Sequence, residues 1–139
     1  MQNPPPSPAG KSALGLEPNV VALLCYLGNV VCALGLILSI ITVVTDKVNK
    51  LARFHAFQSI LLSVLGIVLL IVYWVLMFAG LLIDNALGSA PIFTLLCGGI
   101  VGLIGLALFI GVIIAAIKGF QGQIFKLPII GNIADNLSN

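Results

Sequence analysis

Residues 20–44 read VVALLCYLGNVVCALGLILSIITVV and contain no charged side chain. Two further apolar runs follow, one that starts between residues 54 and 58 and continues to 83, and one from about 92 to 117. Each exceeds the roughly 20 residues that a helix needs to cross about 30 Å of hydrocarbon. Only a helix satisfies the backbone of a single segment in lipid. The pattern predicts an all-α membrane protein with three transmembrane helices, at about 20–44, 57–83 and 92–117.

The composition of the 139-residue chain agrees with a lipid environment. Hydrophobic residues make up 60% of it and charged residues 7%, against about a quarter charged in a soluble domain, whose surface must face water. The net charge of +2 excludes a nucleic-acid-binding protein, because phosphates require a dense basic face. We therefore expect the lipid bilayer, and no nucleic acid, as a partner.

The segments before the first and second runs are more polar. Residues 1–19 are rich in proline and cannot bury enough apolar surface to offset their ordering entropy, so we predict a disordered tail. This tail lacks the features of a signal or transit peptide. Residues 46–57 are predicted to begin as a short interfacial helix before the second span, with Thr45 or Asp46 as its N-cap.

The C-terminal segment 119–139 stays apolar after the third run. It is interrupted at Gly122, Pro128 and Gly131, so we expect a broken segment and not a long helix. Such a segment lies against the membrane interface, plugs the end of the helix bundle or docks a partner. With the three spans it would complete one membrane domain over residues 20–139.

The basic residues predict an orientation. With three spans, one side of the membrane holds Lys47, Lys50, Arg53, Lys118 and Lys126. The other side holds only Lys11. By the positive-inside rule, the C-terminus of this multi-pass protein is cytoplasmic and its N-terminus is outside.

Small side chains recur at helical spacing in the first and third runs. Spacings of three and four residues keep them on one helix face, where they allow close helix packing in lipid. The predicted packing positions are Gly28, Cys32, Gly35, Ser39, Gly98, Gly102 and Gly105. The simplest arrangement packs the first and third runs on each other, and the alternative turns one stripe toward another subunit.

Polar residues gather at the start of the second run. His55, Gln58 and Ser59 are spaced so that they share one helix face. Polar groups at membrane depth are costly when unpaired, which makes these residues candidates for a functional site. The alternative is that they lie at headgroup level and bind water or backbone.

The side-chain combinations that enzymes use do not occur in this sequence. It has no Ser/His/Asp set, no paired carboxylates in an apolar run and no phosphate-binding glycine loop. One histidine and three cysteines without metal-ligand spacing predict no metal site. We therefore expect a protein that is not an enzyme and has no catalytic, cofactor-binding or metal-binding residues.

Three stretches resemble motifs of one family. They are GLEPN at 15–19 with ALLCYL at 22–27, RFHAFQS at 53–59, and FKLPIIGNIA at 125–134. They are similar to the small bacterial membrane proteins grouped with the Tic twenty-type component of the chloroplast protein-import machinery. The resemblance implies a bacterial inner-membrane protein with a link to protein translocation. The chain departs from the plastid type, which has four spans and a transit peptide.

The resemblance and the packing faces together predict a non-enzymatic accessory or scaffold subunit of a membrane assembly. Its partner would be another membrane protein or a second copy of the chain. The expected interaction motif consists of Arg53, His55, Gln58, Ser59, Lys126, Pro128 and Gly131. Two other classes stay open: an oligomeric pore, and a module that binds anionic lipid through Lys47, Lys50 and Arg53.

Overall fold

The computed structural model describes residues 10–31, 34–88 and 90–138, and this part of the chain is helical. The helices are α1 (Pro18–Val31), α2 (Leu34–Thr45), α3 (Lys50–Ala86), α4 (Ile92–Phe120) and α5 (Ile130–Ser138). Among the described residues, α3 and α4 are long and apolar enough to cross a membrane. The prediction of an all-α protein is confirmed, but the predicted span over 20–44 is divided between two shorter helices.

The helices α1 and α2 form an antiparallel hairpin. A methyl group on Gly28 would lie 2.7 Å from the Cα atom of Gly35, and one on Gly35 would lie 2.5 Å from the carbonyl oxygen of Cys25. At the open end, the backbone N–H of Ala13 donates to the carboxylate of Asp46 at 3.1 Å. Residues before α1 and after α2 therefore lie side by side, which a single helix over 20–44 would not allow.

The prediction of one span over 20–44 was wrong because the small residues of that run pack on each other. Their spacing of three and four residues places them on one face of either helix. Because α1 and α2 run antiparallel, the two halves of the stripe meet at Gly28 and Gly35. Glycine at the contact lets the two backbones approach closely.

The helix α3 begins earlier than the sequence predicted and continues without a break. Its N-cap is Asn49, whose side-chain oxygen accepts a hydrogen bond from the N–H of Ala52 at 3.2 Å. Asp46 instead supports the preceding turn by accepting from the N–H of Asn49 at 3.0 Å. Thr45 donates to the carbonyl of Ile41. Neither Thr45 nor Asp46 is the N-cap, and the predicted interfacial helix belongs to α3.

The C-terminal segment turns back sharply after α4. The N–H of Gln123 donates to the carbonyl of Lys118, and that of Gly122 to the carbonyl of Gly119. Gly122 has a φ of 73°, so this is a Schellman motif that ends the helix at a residue in the left-handed region. A short extended stretch follows and leads into α5. The prediction of a broken C-terminal segment agrees with this arrangement, although its last part is helical.

The chain divides into two compact units, of which the first combines the residues up to Ser63 with those from Gly111 onward. It contains the α1–α2 hairpin, the start of α3, the end of α4, and α5. One of its apolar clusters is formed by Val21, Cys25, Ala52 and Ala56. The other is formed by Tyr26, Leu62, Ala115 and Ala116.

The second unit covers Val64–Ile110 and contains the remaining parts of α3 and α4. A methyl group on Gly80 would lie 3.0 Å from the Cα atom of Thr94, and one on Gly98 would lie 3.2 Å from the sulfur of Met77. The carboxylate of Asp84 accepts hydrogen bonds from the N–H groups of Phe93 and Thr94 and caps the start of α4. Large apolar side chains cover the outside of this unit.

Candidate functional site

The polar motif at the start of α3 is buried in the first unit. His55, Gln58 and Ser59 are fully buried. Arg53 is only partly buried, and its guanidinium group lies 5.9 Å from the centre of the Phe57 ring. The motif therefore has an inner polar face and an outer face that carries the arginine.

A chain of hydrogen bonds connects the inner face to α1 and to the C-terminal segment. The Tyr26 hydroxyl lies 2.9 Å from Nδ1 of His55. Nε2 of His55 lies 3.1 Å from the carbonyl oxygen of Gln123. The Gln58 amide nitrogen donates to the Tyr26 oxygen at 3.1 Å and to the carbonyl of Phe125 at 3.3 Å. We call Tyr26, His55 and Gln58 the polar triad.

The partners of the polar triad fix the direction of its hydrogen bonds. A carbonyl oxygen can only accept, so Nε2 of His55 must carry the proton that it shares with Gln123. In a neutral imidazole, Nδ1 is then an acceptor, and the Tyr26 hydroxyl donates to it. The Tyr26 oxygen in turn accepts from Gln58. The order of donation is therefore from Gln58 to Tyr26, to His55 and to the backbone at Gln123.

A second hydrogen-bonded group is centred on Ser59, the residue after Gln58 in α3. The Ser59 hydroxyl donates to the carbonyl of Cys25 at 2.9 Å, and the Asn29 amide donates to the Ser59 oxygen at 2.6 Å. Ser63 donates back to the carbonyl of Ser59. Through these bonds α1 is held against α3 at two successive turns.

One buried acceptor of the polar triad has no partner among the described residues. The side-chain oxygen of Gln58 is inaccessible and makes no hydrogen bond there. Buried polar groups are paired in the great majority of cases, commonly with an ordered water.

Close packing brings α4 against the polar triad. A methyl group on Gly119 would lie 3.0 Å from Cβ of Ala22 and 3.3 Å from the ring carbon Cε1 of His55. A methyl group at this position would require Ala22 or His55 to move by a few tenths of an ångström, so glycine favours the close approach of α4 to α1 and α3. Gly119, Tyr26 and Gln123 were not among the predicted site residues. A tyrosine inside an apolar run was the one available signal, since a buried hydroxyl requires a partner.

The motif at 125–134 begins with a compact turn next to the polar triad. A methyl group on Gly131 would lie 2.5 Å from the Cα atom of Lys126, so that position accepts only glycine. Lys126 is exposed, and its ammonium group lies 2.8 Å from a carboxylate oxygen of Asp135. The hydrogen bond from Lys126, together with the ion pair, holds the pKa of Asp135 below its ordinary value. Pro128 is exposed.

The structure therefore brings the motifs at 53–59 and 125–134 together through Gln58 and the Phe125 backbone. His55, Gln58, Ser59 and Gly131 lie inside, while Lys126 and Pro128 lie at the surface. Whether these residues contact another molecule stays a prediction.

The predicted packing positions have different surroundings. Gly28, Gly35 and Ser39 lie in the hairpin, and Cys32 lies outside the described residues. Gly98 faces Met77, whereas a methyl group on Gly102 or Gly105 would have no neighbour within 4 Å. At Gly28 and Gly35, the close neighbours belong to the hairpin and not to the third run.

No group of three or more histidine, cysteine, aspartate or glutamate side chains that could hold a metal ion occurs in the described part of the chain.

Two of the described helices have the length and apolar composition of helices that cross a membrane, and the comparisons with known proteins agree with a membrane protein. Residues 17–134 match the family described as the magnetosome magnetite crystal formation protein family, and the chain belongs to that family. Similar proteins include a UPF0132 membrane protein of Methanocaldococcus jannaschii, 35% identical over 130 residues, covering 93% of this chain and 96% of that protein. A UPF0132 membrane protein of Archaeoglobus fulgidus is 30% identical over 120 residues, covering 86% and 94%. No solved structure matches the chain.

This membership corrects the resemblance drawn from the sequence. The motifs at 53–59 and 125–134 both fall inside the segment that matches the magnetosome family, so they are not a sign of the chloroplast import component. The expected link to protein translocation depended on that resemblance and has no support from the relatives.

Proposed function

We propose that this chain is a non-enzymatic scaffold subunit of a membrane assembly. The observation that carries this proposal is that solvent hardly reaches the polar triad. Its members are almost completely buried and bond to one another or to the backbone of the same chain. A catalytic group must reach its substrate. The triad instead supports a structural role, because it fixes the C-terminal segment against α1 and α3.

The family's name refers to magnetite crystal formation, and we assign this chain a part in the membrane and not at the mineral surface. Its three aspartates are engaged within the chain. Asp46 and Asp84 accept backbone hydrogen bonds, and Asp135 is paired with Lys126. Coordination of iron would compete with these bonds for the carboxylate oxygens.

We propose that the N-terminal segment, the loop after α2 and the C-terminal segment share the cytoplasmic side of a plasma membrane. Two contacts support this arrangement. Ala13 is bonded to Asp46, and Gly119 packs against Ala22. All six basic residues of the chain belong to these segments or to the adjacent helix ends. The positive-inside rule then favours the cytoplasmic side for these three segments.

A scaffold is better supported than an oligomeric pore. Ion-selective pores are built with rings of charged side chains or of backbone carbonyls. Residues 64–83 contain only Tyr73 and Trp74 as side chains with polar groups, and residues 92–117 contain only Thr94 and Cys97. The exposed side chains along these segments are large and apolar, as expected for a surface that faces lipid or another apolar helix.

Photocrosslinking in native membranes tests the scaffold role. A photoreactive residue at Val48 or Ile129, which are 87% and 78% exposed, would probe the surface beside the two motifs. The matched control is Leu103, which is 69% exposed in the apolar second unit. We expect a discrete adduct with a different protein from Val48 or Ile129, and lipid adducts from Leu103. Adducts with lipid or with a second copy only, from all three positions, would overturn the proposal.

A further inference from the structure

The helices of the α1–α2 hairpin are too short to cross a bilayer. They contain 14 and 12 residues, which corresponds to about 21 Å and 18 Å at 1.5 Å per residue. The hydrocarbon core is about 30 Å thick, so one leaflet contributes about 15 Å of it. Each helix therefore matches the depth of a single leaflet and its headgroup region.

The contacts at the open end of the hairpin keep its two ends together. The hydrogen bond from Ala13 to Asp46 joins the segment before α1 to the turn after α2. Charged residues occur at this end, where Glu17 precedes α1 and Lys47 follows α2. Residues 20–44 contain none. Charge and chain connectivity thus place the open end in water and the other end in an apolar medium.

The outer surface of the hairpin is apolar up to its closed end. Val31 ends α1 and Leu34 begins α2, and they are 81% and 64% exposed, while Val30 and Ile37 are 48% and 53% exposed. In water such a surface would be a strong liability for aggregation. Its length and its lack of charge fit the acyl chains of lipids.

In the described part of the hairpin, polar side chains hydrogen-bond within the protein, as immersion in lipid favours. The Ser39 hydroxyl donates to the carbonyl of Gly35 at 2.6 Å, and the Thr42 hydroxyl donates to that of Leu38 at 2.9 Å. The Asn29 amide, which is close to the turn, donates to Ser59 of α3.

From these observations we infer that the α1–α2 hairpin inserts into one leaflet only and that the protein thereby favours membranes in which this leaflet is convex. A hairpin that enters and leaves by the same surface adds area to one leaflet and none to the other. Expansion of one leaflet is relieved when that leaflet becomes convex. The binding of amphipathic helices that lie in one leaflet is likewise sensitive to curvature. The partner is therefore a lipid surface of defined curvature, in addition to the protein partner of the scaffold role.

Reconstitution of the purified full chain into vesicles of two sizes tests this inference. Small sonicated vesicles and large extruded vesicles of the same lipid composition differ in the curvature of their outer leaflet. An epitope at the C-terminus reports orientation through its cleavage by a protease added outside. We expect the fraction of molecules with the C-terminus outside to be larger in small vesicles than in large ones. An equal fraction in both would overturn the inference.

Two variants assign the effect to the closed end of the hairpin. Val31→Lys places a charge at that end and should remove the dependence on vesicle size, while Val48→Lys adds the same charge at the open end and should leave it intact. If Val31→Lys does not fold, the double change Val31→Ser and Leu34→Ser provides a milder version that should weaken the dependence. The inference would be contradicted if the orientation still depended on vesicle size in Val31→Lys and in the double serine variant. Because only the purified chain and lipid are present, the outcome is independent of whether a protein partner exists.

Discussion

The hydroxyl oxygen of Tyr26 and the Nδ1 atom of His55 lie 2.9 Å apart, and both side chains are almost completely buried. This contact joins α1 to α3. Gln58 and the Gln123 backbone extend it to the C-terminal segment. Because each of these buried atoms depends on its neighbour, the loss of one leaves others unpaired in a region that water does not reach.

We expect Tyr26→Phe to destabilise the protein by about 1–3 kcal/mol, the usual cost of leaving buried polar groups without a partner. The change keeps the ring, so packing is preserved while His55 loses a donor and Gln58 loses an acceptor. Chemical denaturation in detergent micelles measures the free energy of unfolding. Tyr73→Phe is the control, because Tyr73 is partly exposed in the second unit. Equal stability of the two variants would show that the Tyr26 hydroxyl is dispensable.

Gln58→Leu should loosen the C-terminal segment. The Gln58 amide donates to the Phe125 carbonyl at 3.3 Å, and leucine cannot replace that bond. Limited trypsin digestion would detect the change, since Lys126 is exposed and becomes a better substrate when the backbone around it is free. Gln121→Leu is the matched control, because Gln121 is exposed at the end of α4. The idea fails if cleavage after Lys126 is no faster in Gln58→Leu than in this control.

The two glycine stripes should respond differently to alanine. In Gly35→Ala the new methyl group would collide with the carbonyl of Cys25 and the backbone N of Asn29, at a cost of about 1–3 kcal/mol. In Gly102→Ala the methyl group would meet nothing within 4 Å, and helix propensity should stabilise the chain by up to about 1 kcal/mol. Thermal unfolding in detergent micelles measures the change in stability for both variants. A large loss from Gly102→Ala would indicate an intermolecular contact at that face.

The glycine stripe also shows why the sequence predicted the helices but not the hairpin. Apolar content and length identify a helical segment, and a charge-free run such as 20–44 satisfies both criteria for one span. Spacing places Gly28 and Gly35 on one helix face. It does not say whether that face meets another run or its own second half. Only the tertiary contact between Gly28 and Gly35 distinguishes the two arrangements.

The candidate site was predictable in part for a similar reason. The spacing of His55, Gln58 and Ser59 identified a polar face on α3, because helical geometry is local. Their partners are distant in sequence, and two of them, at Gln123 and Phe125, are backbone carbonyls. A carbonyl is present at every residue, so no side-chain pattern could have indicated those acceptors.

Acidification should weaken the contact between α5 and Lys126 in the segment that precedes it. The hydrogen bond and ion pair with Lys126 hold the pKa of Asp135 below its ordinary value of 3.8. A carboxylate with a lowered pKa stabilises the fold above 3.8, and this stabilisation is lost as the pH falls through the lower, folded-state value. Hydrogen exchange of residues 130–138 should therefore accelerate at that pH relative to Asp135→Asn, in which the pair is already absent. Parallel exchange profiles for both proteins would contradict the assignment.

The hairpin makes a direct prediction about which residues share a side of the membrane. Leu16 precedes α1 and is 41% exposed, and Val48 follows α2 and is 87% exposed. In a hairpin, cysteines introduced at these two positions should react with a membrane-impermeant maleimide from the same side of sealed vesicles. A single span over 20–44 would place them on opposite sides. Leu87, which is 72% exposed after α3, serves as a third position, because a helix that crosses the bilayer from Val48 should bring it to the other side. If the cysteine at position 16 reacted from the same side as the one at position 87, and from the opposite side to the one at position 48, residues 20–44 would form a single span. The basis for insertion into one leaflet would then be lost.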